Sequence, residues 1–460
     1  MKLKLLSPAT VKPAILLVMA ILVIFPSIWN NFWHVTPGKT FKRAGYGSEF
    51  LIPGRLLYSE DHGLFSMGGI PGEVLPSPPG IDNQNFQYQA FEESASYEYF
   101  KPHKSQMGFQ ALPMSLFSMV TGIRGNRLLE IFWMINSLLL SLTALLIAFW
   151  AQRHFGFLAA ILVLLSSFLF LWFNALGRNL WFVVWVHYLP LLAMLYILKR
   201  EESGTGLSAA KAGLLFYVVV VFKILMSSFE FATSSFIMPL VPLVFYAVYR
   251  QWGLKKYVTG TVFFGAVTGA AVITCILILS FQISAIDGTF RKGLEYVFYS
   301  FFKRTSGNPD DFAELPLIYE SLKASRGEVL IAYLNIKALN FSFITDFLGF
   351  RGMNLFLRYY HVFSIFILAS VAALWLRIKL RDDPDGVRLL DGLNLTVWAS
   401  LLAPLSWFFI FKGHAYIHRG LDMIVWHMPF IYFGMMLTGL VVRRAVGRRV
   451  LSAYSIGHSA

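Results

Sequence analysis

MKLKLLSPATVKPAILLVMAILVIFPSIWNNFW (Met1–Trp33) sets a basic start against a long apolar run. Such a beginning belongs either to a cleaved signal peptide or to a first membrane span. The apolar stretch continues to Trp33 and no small-x-small cleavage site follows it, so it reads as an uncleaved span. The rest of the chain repeats the pattern. It is 57% hydrophobic, 17% aromatic and 14% charged, with a mean hydropathy of +0.60, whereas soluble domains carry about 25% charged residues. Repeated apolar runs of roughly 18 residues or more indicate an all-α polytopic membrane protein.

Ten spans are expected, near residues 13–33, 127–150, 157–176, 181–198, 212–229, 232–249, 258–283, 359–376, 393–411 and 422–442. The net charge of +14 does not point to nucleic acid, because the cations are scattered among short loops. They follow the positive-inside pattern instead. Lys2, Lys4, Lys12, Arg153, Lys199, Arg200, Lys211, Arg250, Lys255, Lys256, Arg377, Lys379, Arg381, Arg388, Arg443, Arg444, Arg448 and Arg449 fall on one side. Short loops on the other hold only Arg178, Lys412 and Arg419. Both termini are therefore expected in the cytoplasm of a cell with the chain in its inner or plasma membrane. The single cysteine, Cys275, lies in an apolar run and reads as a packing residue.

This topology puts two long segments outside, about 34–126 and 284–358, and long loops in a compact fold are usually functional. SQMGFQALPMSLFSMVTGI (Ser105–Ile123) is apolar but broken by Pro113, which suits a helix lying in the membrane interface. Asn308, Pro309 and two aspartates suggest a capped amphipathic helix in the second segment. No internal repeat is visible, which weighs against an inverted-repeat transporter.

Ionisable groups inside spans cost free energy and are functional candidates by default. Lys223 and Glu230, in FKILMSSFEFATSSF, are about two helical turns apart. They form either a structural contact or a grip, with lysine on a phosphate and the acid on a sugar hydroxyl or a metal. Near the end of the chain, SWFFIFKGHAYIHRGLDMIVWHMPFIYFG (Ser406–Gly434) interrupts its apolar run with Lys412, His414, His418 and Arg419. A cationic cluster at the bilayer surface matches a lipid phosphate or diphosphate, or simple snorkelling. The His414 and His418 spacing also allows metal binding on a helix, although no third ligand adjoins them. Tyr416, Trp407 and Trp426 fit an aromatic belt or a sugar-stacking face. Glu49, Glu60, Asp61 and His62 lie in the first external segment, where a carboxylate poised at a cleft can act as general base; ordinary surface acids are the alternative.

A first span followed at once by a long external loop with acids and an interfacial helix resembles the GT-C glycosyltransferases. SEDHGLFSMGG, SQMGFQ, FKILMSSFEFATS and KGHAYIHRGLDMIVWHMPF look like motifs of bacterial multi-span proteins near that superfamily. The resemblance implies sugar transfer on the outer face from a polyprenyl-phosphate-linked sugar to a cell-envelope glycan or lipid acceptor. It implies a catalytic carboxylate at Asp61 or Glu49, with Glu60 beside them. Lys223, Lys412 and Arg419 would hold donor phosphate with Arg178 as helper, and Glu230, His414, His418 and Tyr416 would contact sugar or acceptor. A divalent metal stays open, since no acidic metal motif is evident. GT-C enzymes usually carry the acid within a few residues of the first span, and here Asn30 to Ser48 holds none. The loop is therefore expected to fold back to the membrane. A surface-polysaccharide polymerase, a lipid-linked oligosaccharide translocase and a non-catalytic scaffold are the rival readings.

Overall fold

The computed structural model describes residues 8–46, 48–347, 349 and 355–457. Lys2 and Lys4, counted in the charge pattern, lie outside them. Among the described residues seven helices are long and apolar enough to cross a membrane: Val11–Asn30, Gly125–Phe155, Ala209–Ser227, Ala232–Tyr249, Leu254–Asp287, Tyr359–Lys379 and Pro384–Ile410. An eighth crossing is a bent pair, Leu421–His427 and Phe430–Val446, which meet at 41°. The chain is a mostly helical, multi-pass membrane protein. Two small antiparallel hairpins amend the all-α expectation: Gly72–Leu75 with Tyr99–Pro102, and Lys337–Asn340 with Phe356–Arg358.

The expected spans at 157–176 and 181–198 are where the count of ten departs from the structure. The first stops at Phe170, which leaves helical geometry to bridge Leu339, and resumes as Leu171–Leu176. The second begins as a 3₁₀ turn, Val184–Tyr188, before the helix Leu189–Glu202. Backbone freed from a helix within a bundle needs other partners. Asn174 Nδ2 donates to the carbonyls of Ser167, Phe168 and Phe170. The side-chain oxygen of Asn179 accepts from the amides of Trp181 and Phe182. Two amide side chains thus hold the break open.

The basic loops do gather at one end. Glu202 binds Arg153 at 3.3 Å and also Arg250, Glu201 binds Lys256 at 2.5 Å, and Arg443 donates to the Phe155 carbonyl at 3.0 Å. Cys275 is buried between helices, as a packing residue should be.

The first external segment is an ordered lid. Helix Leu51–His62 is buried along most of its length and packs on Asn83–Glu93 and on the first hairpin. Gln87 ties these together, accepting from the Val74 amide at 2.8 Å and donating to the Val74 carbonyl at 2.9 Å. The interfacial helix runs Ala111–Thr121 and leaves Leu116, Met119 and Val120 exposed, a face suited to the acyl boundary. In the second segment Asn308 caps only a short turn, Pro309–Phe312. The chain then breaks at Ala324, so Pro316–Lys323 and Arg326–Leu334 are separate helices.

Candidate functional site

Behind the lid the chain forms a cavity of about 560 Å³, lined by Lys39, Arg43, Ser48, Phe50, Gln84, Trp172, His418, Arg419 and Gly420 among others. Lys39 and Arg43 are four residues apart on the short helix Gly38–Tyr46, so they share one face. Arg419 stacks over Tyr416 at 4.5 Å, with Glu328 at 3.9 Å as a loose counter-charge. Trp172, from the broken segment, is anchored by its ring nitrogen to the Lys337 carbonyl at 3.2 Å. Gly420 lies beneath that ring with φ +112°, where a Cβ would meet the indole at 2.8 Å. Only glycine satisfies both the backbone and the close approach. The result is a wall of three permanent cations around an indole, with no carboxylate in the lining.

The three candidate acids do not stay together. Glu60 and Asp61 lie at the far end of Leu51–His62, ~16 Å along the axis from Glu49. Glu60 pairs with Arg124 at 3.5 Å, and Asp61 accepts from the Tyr97 hydroxyl at 2.9 Å. Glu49 alone adjoins the cavity, between its lining neighbours Ser48 and Phe50. Its carboxylate is buried, accepting from Tyr88 Oη at 3.1 Å, Trp133 Nε1 at 2.9 Å and the Leu180 amide at 2.5 Å. Burial pushes its pKa up to about 7, against the pull of those donors and of the Arg178 charge. The loop therefore folds back, as expected, and brings an acid to the bundle. Arg178 is sandwiched between Phe41 and Trp133 at 4.6 and 4.5 Å and donates to the Trp29 carbonyl.

A polar network lies on the other side of His418. His418 stacks on His414 with ring centroids 4.4 Å apart. His414 Nδ1 meets Asp422 Oδ2 at 3.1 Å, Trp407 donates to the same oxygen at 2.8 Å, and Glu230 Oε2 stands 3.8 Å from His414 Nε2. Burial is the main force pushing both imidazoles down to about 4, so each is neutral near pH 7. The His414–Asp422 contact is then a hydrogen bond rather than an ion pair. The two rings stack instead of converging on one point. Among the described residues no group of three His, Cys, Asp or Glu is placed to hold a metal.

The other two lysines singled out by sequence are occupied. Lys223, fully buried, donates to the carbonyls of Ser228 at 3.2 Å and Glu230 at 2.7 Å, closing the turn after its own helix. Lys412 donates to the carbonyls of Leu322 and Ala324 at 2.6 and 2.9 Å, capping Pro316–Lys323. Neither lines the cavity. Sequence reasoning missed Lys39, Arg43 and Trp172. The signal for the first two was present: KTFKRAG puts cations on the side where the charge pattern expects few.

Fold and site together describe a multi-pass membrane protein with a basic, aromatic cavity under an ordered lid. Among solved structures it is similar to the Archaeoglobus fulgidus oligosaccharyltransferase. The complex of that protein with zinc and sulfate matches at 14% identity and a TM-score of 0.41, over 98% of this chain and 51% of that one. The apo form matches at 12% and 0.43, over 96% and 52%. The chain thus spans about half the length of those structures, and likeness at this level does not speak for the reaction. No protein-family model and no curated protein matches the chain.

Proposed function

We propose that the chain is a GT-C-type glycosyltransferase that moves a sugar from a polyprenyl-phosphate-type donor to a cell-envelope glycan or lipid acceptor on the outer face. The observation that carries this reading is the cavity: Lys39, Arg43 and Arg419 converge beside Trp172 with no acid among them. Arginine forks and a lysine point charge suit phosphate oxygens, and an indole suits a sugar face. Glu49, beside the cavity with its pKa near 7, has the basicity a general base needs at neutral pH. Cations on the departing phosphate and a positioned acceptor supply the rest of the rate. His418, oriented through His414 by Asp422 and Glu230, lines the same cavity and contacts sugar or acceptor.

Mass analysis of surface glycans and polyprenyl-linked intermediates from a strain lacking the chain tests the class of reaction. Loss of one sugar with its polyprenyl donor accumulating is the expected result. Unpolymerised repeat units would make the chain a polymerase, and complete units trapped on the inner leaflet a translocase. Within the site, Arg43→Gln/Arg419→Gln is expected to weaken donor binding by about 100-fold, since each hydrogen bond to a charged group contributes about 1.5–3 kcal/mol. Wild-type affinity in that variant would overturn the assignment.

Lys223→Met should behave differently. It orphans two carbonyls at about 1–3 kcal/mol each, lowering the thermal midpoint in detergent while donor affinity stays within about twofold. A large affinity loss at unchanged stability would return Lys223 to the phosphate.

A further inference from the structure

Helix Phe290–Arg304 folds back on the outer end of Leu254–Asp287, so closely that a Cβ on Gly293 would strike the Ser280 carbonyl. Phe298, Tyr299, Phe301 and Phe302 are 44–50% exposed, and 298, 301 and 302 form one strip by their spacing. The helix ends in Lys303 and Arg304. A basic pair at a helix C-terminus is ordinary; its surroundings are not. The Arg304 carbonyl packs on Gly413, 3.2 Å from where a Cβ would stand, which sets this end beside His414. Lys104 reaches the same hairpin, binding Asp287 at 2.5 Å and standing 5.6 Å over Tyr296. That contact brings in His103, whose ring meets Trp181 at 5.5 Å and Ser105 Oγ at 2.6 Å.

Positive charge accumulates here without relief. Burial and the charges of Arg304, Lys303 and Lys101 push His103 down to about 4, and burial with Arg304 lowers Lys303. No carboxylate contributes to either shift. The nearby acids are taken: Asp287 by Lys104, Glu295 by Arg291 and Glu73 by Lys101.

We infer that this end of the site takes a second lipid phosphate, its head group between Lys303, Arg304 and His103 and its chain along the aromatic strip of Phe290–Arg304. The inference rests on the transferase reading and names its acceptor class: a phosphate on a long apolar tail, so that donor and acceptor are both lipid-linked. An isoprenoid phosphate and a membrane phospholipid share that chemistry.

Native mass spectrometry of the purified chain, titrated separately with a polyprenyl phosphate and with phosphatidylglycerol, separates the cases. Wild type is expected to carry two polyprenyl phosphates. Lys303→Gln/Arg304→Gln should lose one and Arg43→Gln/Arg419→Gln the other. Phe298→Ser/Phe302→Ser, which spares the cations, should weaken the long-chain ligand about tenfold but not a short-chain isoprenyl phosphate. Unchanged stoichiometry in folded Lys303→Gln/Arg304→Gln overturns the site. A loss confined to phosphatidylglycerol overturns the acceptor assignment and leaves a phospholipid seat. A loss at Lys303→Gln/Arg304→Gln with none at Arg43→Gln/Arg419→Gln sinks the donor cavity instead, while this site stands.

Discussion

Glu49→Gln is expected to slow sugar transfer by about 10²–10⁴-fold, the range removed with a general base, while donor binding stays near wild type. The pH behaviour identifies the cause. Only the carboxylate accepts a proton, so with a folded pKa of about 7 the wild-type rate should rise with pH through 7 and level off above it. Stability should run the opposite way. The folded pKa lies above the ordinary glutamate value, so the folded state holds this proton more tightly than the unfolded one. The associated stabilisation is complete below the unfolded pKa, and about 3 kcal/mol of it is lost as pH rises to 7. Glu49→Gln should lose this part of the pH dependence of stability. A folded variant that transfers sugar at the wild-type rate would remove Glu49 from the chemistry, leaving His418 as the base lining the cavity.

Arg55→Met should cost about 3 kcal/mol or more and loosen the lid. Arg55 is buried, and its guanidinium donates to the carbonyls of Ser66 at 2.7 Å, Leu64 at 2.5 Å and Gly63 at 3.3 Å. Burial lowers its pKa to about 10, so it stays charged at neutral pH. Three carbonyls lose their partner together, each at about 1–3 kcal/mol when buried. A lower thermal midpoint and fast proteolysis between Gly63 and Gly69 are the readouts. Lysine recovers only part of the loss, because a point charge cannot serve three acceptors as a fork does. Wild-type protease resistance in Arg55→Met would show that the loop holds itself.

Hydropathy was enough for the seven continuous helices, because each is a long apolar run with polar ends. It failed between Phe157 and Leu198, where the run is just as apolar but a bridge to Leu339 and the amides of Asn174 and Asn179 support a break. Those partners are distant in the chain or are backbone, and neither leaves a local mark. The same blindness governed the lysines. Lys223 and Lys412 stand out in apolar text, yet their partners are carbonyls. Glu49 and Asp61 looked equivalent in sequence, and only the helix between them sets one at the cavity and the other beyond it. Lys39 and Arg43 were legible as exceptions to the charge pattern.

The break also bears on how the chain is made. Phe157–Leu169 has 13 residues, ~20 Å of helix against a hydrocarbon layer of about 30 Å, so the bilayer alone cannot hold it in place. Its support comes from Gly125–Phe155 and from the C-terminal helix, where Gly439 lies against the Ala159 backbone. That last helix is synthesised some 270 residues later. The wall that carries Trp172 must therefore wait, unfinished, until translation nears its end, so quality control during biogenesis acts on the catalytic cavity itself.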